Sequence, residues 1–177
     1  MPLFTYVSRT VKREVFFSCP YSSQKMIIKE IREFNQKLTQ KGIRIIPVRI
    51  SDKRMLVYVY RPEKLKEDFS DEKTQIILKC KGYDCTNLSQ CICRLIQKLQ
   101  SDPDFPHEIG LFLGYPAEDV KGFIENKAAC SKCSGCWKVY GDEQAARILF
   151  KKYKKCTEIY CRRWKSGVAV EQLTITI

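Results

Sequence analysis

Residues 109–155 read IGLFLGYPAEDVKGFIENKAACSKCSGCWKVYGDEQAARILFKKYKK, and the fold expected of this chain turns on them. Ile109–Leu113 reads as a strand and Pro116–Lys127 as a helix. Cys136–Tyr140 reads as a second strand and Asp142–Lys155 as a second helix. A strand–helix–strand–helix run implies a parallel pair joined by a right-handed crossover.

Working outward, Ser22 or Ser23 can cap a helix with Met26, Ile27, Ile31, Phe34 and Leu38 on one stripe, ending near Lys41-Gly42. Val15-Phe16-Phe17 before it is a short strand. Ile43–Ile50 and Met55–Tyr60 are β-rich and joined by a hairpin loop, Ser51–Arg54. Leu56, Tyr58 and Tyr60 alternate with Val57 and Val59, which predicts a strand covered on both faces. Helices follow over about 72–81 and 87–101, with Gly82 ending the first, and Pro103 and Pro106 break the chain. Leu173–Ile177 reads as an edge strand. The expected architecture is one α/β domain over residues 1–177, a mixed sheet of about five strands with helices on both faces. Its thiol-rich part is 106–165.

The chain is long enough to bury a proper core, and its apolar and charged content is that of a globular protein. Its start shows no apolar stretch followed by a small-residue cleavage site, and no apolar run reaches the roughly 20 residues of a membrane span. The expectation is a cytoplasmic protein with no membrane association. In that compartment ten cysteines read as metal ligands, reactive thiols or small buried residues, and a disulfide framework is the weaker reading. A net charge of +12 implies attraction to something negative. Cations crowd the C-terminal stretch, where Arg147, Lys151, Lys152, Lys154, Lys155, Arg162, Arg163 and Lys165 face one acid, Glu158.

The cysteines carry the chemistry: Cys130-x2-Cys133-x2-Cys136, then Cys156-x4-Cys161. Fourteen helical residues span roughly 21 Å and five strand residues roughly 16 Å. A helix returning antiparallel to strand 136–140 therefore brings Cys156 and Cys161 back beside Cys133 and Cys136. Four thiolates there approach a zinc pattern, apart from the x4 spacing. Cys130, Cys133 and Cys136 alternatively begin an iron–sulfur signature whose fourth cysteine is replaced by Tyr140, so that Cys156 or Cys161 would supply the fourth ligand; in the four-thiolate set Cys130 is a bystander or substitute ligand. A third reading is a Cys133–Cys136 redox pair. Neighbouring lysines would compensate thiolate charge, although they equally complement the end of their own helix.

His107 and Glu108 should lie along the same edge and are the catalytic candidates, as members of a Cys–His–carboxylate set. The plainer reading makes His107 a strand cap and leaves Glu108 solvated. No phosphate-binding glycine motif is present, and Glu118, Asp119, Asp142 and Glu143 in the first turns of two helices disfavour phosphate there. Tyr153, Tyr160 and Trp164 among the cations suggest a nucleic-acid surface. Against that, Ala146, Leu149 or Phe150, and Tyr153 fit one buried helical stripe. Trp137–Tyr140 reads as a strand packing both ways.

Pro106-His107-Glu108-Ile109-Gly110-Leu111-Phe112-Leu113-Gly114-Tyr115-Pro116 and Glu118–Ile124 resemble the bacterial domain-of-unknown-function family numbered 3793. Cys133-x-Gly135-Cys136-Trp137-Lys138-Val139-Tyr140-Gly141-Asp142 and Tyr153-Lys154-Lys155-Cys156-Thr157-x2-Tyr160-Cys161 continue the likeness, which covers nearly the whole chain. The resemblance implies a cytoplasmic protein typical of anaerobic Firmicutes, in keeping with a thiol-rich site, and implies no activity. One stretch departs from the family's pattern. Where it has a cysteine and a glycine-bearing turn, this chain has Ser8-Arg9-Thr10-Val11-Lys12, which implies a divergent or inactive member.

The functional expectation is a cysteine-ligated metal or thiol-redox protein holding zinc or an iron–sulfur cluster at Cys133, Cys136, Cys156 and Cys161. Its basic face (Lys151, Lys152, Lys154, Lys155, Arg162, Arg163) would dock an acidic partner such as a small electron carrier. The alternative is a non-enzymatic module for nucleic acid or another polyanion, with structural cysteines. A small-molecule enzyme using a strand-end cleft is a third reading.

Overall fold

The computed structural model describes residues 14–101 and 105–173. The expectations for Ser8–Lys12, for Pro103 and for most of the Leu173–Ile177 strand lie outside the described residues. The chain forms two compact units, one of residues 1–63 with 155–177 and one of residues 64–154.

The first unit is a three-stranded antiparallel sheet in the order β1-β3-β2, with β1 Val15–Pro20, β2 Arg44–Ile50 and β3 Arg54–Tyr60. Helix α1, Gln24–Leu38, begins where the Ser23 hydroxyl accepts from Met26 N, and the chain leaves its last turn through Gly42 at φ +69°. Its stripe of Ile27, Ile31, Phe34 and Leu38 packs on Ile45, Met55, Val57 and Val59, with Trp164 at the margin. The central strand is buried on both faces over Val57–Val59, as its alternation predicts. β2 is an edge strand, and a bulge beside Pro47 interrupts its register. Asn35 covers part of that edge: its amide donates to Ile45 O at 2.7 Å and accepts from Ile45 N at 2.8 Å.

The second unit contains helices α3 Glu72–Cys80, α4 Leu88–Ser101, α5 Ile109–Phe112 and α6 Ala117–Asn126, and a hairpin of β4 Cys133–Ser134 with β5 Lys138–Val139. Helix α2, Pro62–Ser70, enters it, and α7, Glu143–Lys165, leaves it. A short helix α8, Val170–Leu173, ends the described chain.

Several expectations fail here. Ile109–Leu113 is not a strand: Ile109–Phe112 is a buried helical turn, and Phe112 packs edge-on to Phe69 with ring centroids 5.0 Å apart. An apolar run that short has no periodicity to separate strand from helix. Cys136–Tyr140 pairs only at Lys138–Val139, and with Cys133–Ser134, not with a parallel neighbour. The amides of Tyr140 and Gly141, which would extend a ladder, bind the Asp119 carboxylate instead. The expected five-stranded mixed sheet is therefore a three-stranded sheet and a two-stranded hairpin, both antiparallel. Finally, α7 does not stop at Lys155 but runs 23 residues to Lys165, and Leu173, the one described residue of the expected terminal strand, is helical.

Candidate functional site

The organising residue of the second unit is Asp119. It is buried in the first turn of α6, 3% exposed, and its carboxylate accepts three hydrogen bonds. Trp137 Nε1 donates to Oδ2 at 2.6 Å, and the amides of Tyr140 and Gly141 donate to Oδ1 at 2.7 and 2.8 Å. A buried carboxylate is tolerated when charge-assisted donors surround it. Asp119 is thus a tie between α6 and the hairpin. Of the other three acids, Glu118 pairs with Lys73, Asp142 accepts from Ala145 N, and Glu143 pairs with Arg147.

Two glycines let the ring systems close around this tie. A Cβ on Gly122 would lie 2.3 Å from the Tyr140 ring, and one on Gly135 would lie 2.3 Å from the Phe150 ring. Trp137 then stacks on Tyr115 at 4.7 Å and meets Phe150 edge-on at 4.6 Å. Ala146, Leu149, Phe150 and Tyr153 form the buried stripe of α7 that helical spacing predicts.

Beside the tie is an open pocket of about 480 Å³. Phe105, Ile109, Val120, Phe123, Tyr115 and Trp137 contribute its apolar lining. His107, Ser134 and Lys138 are the polar groups in addition to Asp119. His107 is exposed, and its ring meets Phe123 edge-on at 5.1 Å. Burial pushes the Tyr115 phenol above its ordinary range, with Cys136 adding to the effect. This volume falls in the range that accommodates small organic ligands.

Glu108, expected in solvent or in catalysis, is buried at 4% exposure and paired. It accepts from Lys98 Nζ at 2.7 Å and from Tyr83 OH at 3.1 Å, while Lys98 also lies 4.4 Å from the Tyr83 ring centroid. Burial, the largest single influence, would raise its pKa; the Lys98 ammonium, the Glu108 backbone amide and the Tyr83 hydroxyl together outweigh it and hold the carboxyl below its ordinary value. Glu108 and His107 therefore point to different surroundings, and the proposed Cys–His–carboxylate set is not assembled by this pair.

All ten cysteines are free thiols. Cys133 and Cys136 belong to the hairpin of the second unit, whereas Cys156 and Cys161 fall in the part of α7 assigned to the first. The premises that drew the four together, a five-residue strand and a helix ending at Lys155, do not hold. On a continuous helix the five-residue step from Cys156 to Cys161 turns by about 140°, so one helical face does not present both. Among the described residues no group of three or more His, Cys, Asp or Glu is positioned to hold a metal ion. Cys130 is exposed, with φ +56° in the loop before β4. The Glu143 carboxylate raises the Arg147 pKa through its hydrogen bond and charge, and Cys133 lies near enough to the guanidinium to add a smaller effect.

A family model described as a protein of unknown function, DUF3793, matches residues 5–174. The chain belongs to the DUF3793 family. No curated protein and no solved structure matches it. The DUF3793 stretch from Pro106 onward is the one that builds the pocket and the Asp119 tie, so the motifs that carry the likeness have structural work at Gly110, Gly122, Gly135 and Trp137. No helix among the described residues is long and apolar enough to cross a membrane.

Proposed function

We propose that this protein is a binding module for a small, flat, largely apolar molecule carrying an acidic group, held in the pocket beside Trp137. The observation that carries this reading is the pocket itself. Its walls are aromatic and aliphatic, its size suits one small ligand, and His107 and Lys138 supply donors or positive charge at its lining. Asp119 also lines it, but its three donors already neutralise much of its pull on a cation. Anilinonaphthalene sulfonate is a suitable probe. Saturable one-to-one binding, weakened about tenfold (about 1.4 kcal/mol) by Lys138→Met, is expected. Binding that is unchanged by Lys138→Met and by His107→Gln together would sink the reading.

A second reading retains the thiols and the basic helix. On α7, Ile148, Lys151, Lys152, Lys155, Ile159, Arg162 and Arg163 fall within about 120° of arc, at about 100° per residue. Every one is exposed, Ile148 at 56% and Ile159 at 40%. Lys154 flanks this face. Two exposed isoleucines set among five cations suit an acidic protein with some apolar surface, of which a small electron carrier is one class; nucleic acid is the other polyanion to test. Cys133 and Cys136 are then the redox or metal-binding thiols, with Cys156 and Cys161 as the further pair, and the compartment is the cytoplasm. Elemental analysis and an absorption spectrum of anaerobically purified protein test it. Stoichiometric zinc or a visible iron–sulfur band supports a cofactor, and protein without metal whose thiols titrate ordinarily removes this reading.

A further inference from the structure

Two thiols outside the patterned stretch, Cys85 and Cys91, are drawn to the same turn. Asn87 starts α4, its Oδ1 accepting from the amides of Ser89 and Gln90 at 2.9 and 3.2 Å. Just before it, Asp84 Oδ1 accepts from Thr86 N at 3.0 Å and Thr86 Oγ1 at 2.7 Å. These two local closures fold residues 84–87 over the first turn of the helix. Cys91 in that turn donates its Sγ–H to Asp84 O at 2.8 Å, which sets its sulfur against the peptide that begins Cys85, and each of the two thiols perturbs the other's titration. Cys91 is fully buried, whereas Cys85 is half-exposed. Cys93, two residues further, is exposed and turned about 200° away around the helix.

We propose that Cys85 and Cys91 are a dithiol–disulfide couple that exchanges with a low-molecular-weight disulfide, Cys85 attacking and Cys91 resolving. The Cys85 thiolate attacks one sulfur of the small disulfide; a mixed disulfide forms and one small thiolate leaves, taking up the proton that Cys85 lost. Cys91 then loses its proton to solvent and attacks the Cys85 sulfur, and the second small thiolate leaves and is protonated. Two protein thiols are oxidised by two electrons, and one disulfide is reduced to two thiols. The asymmetry of exposure sets the order, since only Cys85 can meet a reagent from solvent.

Burial pushes the Cys85 thiol up, and pushes Cys91 up to about 12 with Cys85 and Asp84 adding to it. Both thiols are therefore protonated near neutrality, and the exchange is slow and quickens as pH rises. Closing the bond also removes the S–H that Asp84 O accepts, so the oxidised loop must repartner that carbonyl.

The test treats the full chain with oxidised glutathione at rising pH, blocks the remaining thiols, reduces the protein and marks the newly freed thiols. Fragmentation within residues 82–94 assigns the marks. Cys85 and Cys91 should be marked together, faster at higher pH, while Cys93 is not. In Cys91→Ser the glutathione adduct should persist on Cys85, and in Cys85→Ser position 91 should stay unmarked. A bond that includes Cys93, a lasting glutathione adduct on Cys85 in the unaltered chain, or a pair that stays reduced each overturns the proposal. The unaltered chain decides this even if either variant fails to fold.

Discussion

In the sheet of the first unit, each residue owes its place to a repeating pattern. Val57 and Val59 face α1 because alternate positions of β3 point the same way, and Ile27, Ile31, Phe34 and Leu38 meet them because a helix returns every three or four residues. In the second unit the hairpin pairs over two residues per strand, and its position depends on one carboxylate and a few close approaches. A patterned core spreads its free energy over many similar contacts, whereas the Asp119 tie concentrates it. The two regions should therefore fail differently, gradually in the first and abruptly in the second.

The largest effect is expected at Asp119. Asp119→Ala leaves the Trp137 indole N–H and two backbone N–H groups without their acceptor, costing about 3–5 kcal/mol after allowing for non-additivity. Hydrogen exchange shows where: the Tyr140 and Gly141 amides should lose protection while those of β3 keep most of theirs. Equal loss in both would break the contrast and show that the two units unfold together. The two tryptophans offer an independent reading, because Trp137 sits on the tie and Trp164 beside the sheet core. With Trp164→Phe, denaturation followed by fluorescence reports the second unit alone.

Next in size is Gly122→Ala, which adds one methyl group but drives it into the Tyr140 ring; about 1–3 kcal/mol is expected. The matching change in the sheet, Ile45→Val, removes one methylene from a fully buried side chain and should cost about 1 kcal/mol. Denaturation midpoints of the two variants test the difference. If Gly122→Ala is neutral, the Tyr140 ring can move aside and the tie is looser than its distances suggest.

This contrast also explains what was legible in the sequence. The Ser23 cap, the stripe of α1 apart from Met26, which is 62% exposed, the hairpin of β2 and β3 and the end of α3 at Gly82 are all local or periodic, and the structure agrees with each. Helix α2 was missed although Pro62 at its first position and Glu63 beside it are start signals. The Asp119 tie had no such signal: its partners lie 18 to 22 residues away, and a carboxylate in a first turn looks the same whether it faces solvent or an indole. The approach of Cys91 to the Asp84–Cys85 peptide depends likewise on the Asp84 and Asn87 turns, which draw together thiols whose spacing matches no ligand motif. The cysteine pattern at 130–161 was readable as a pattern, but its convergence rested on two element lengths that the fold does not keep.

The smallest effect is that of acid on the Glu108 pair. Its folded pKa lies below the ordinary 4.5, so the ionised form contributes stability that is fully present above that value and lost as pH falls through the lower folded one. Glu108→Gln should flatten this part of the stability–pH curve, at a cost of about 1–2 kcal/mol near neutrality from the weakened Lys98 bond. Lys98→Met is the sharper variant. It removes the main cause of the depression while burial, which acts the other way, remains. The Glu108 pKa should then rise above its unfolded value, and stability between about pH 4 and 6 should increase as pH falls instead of holding steady. A slope that keeps its original sign in Lys98→Met would mean that Tyr83 and the Glu108 backbone amide suffice to hold the carboxylate, making this pair another point contact backed by others rather than a lone one.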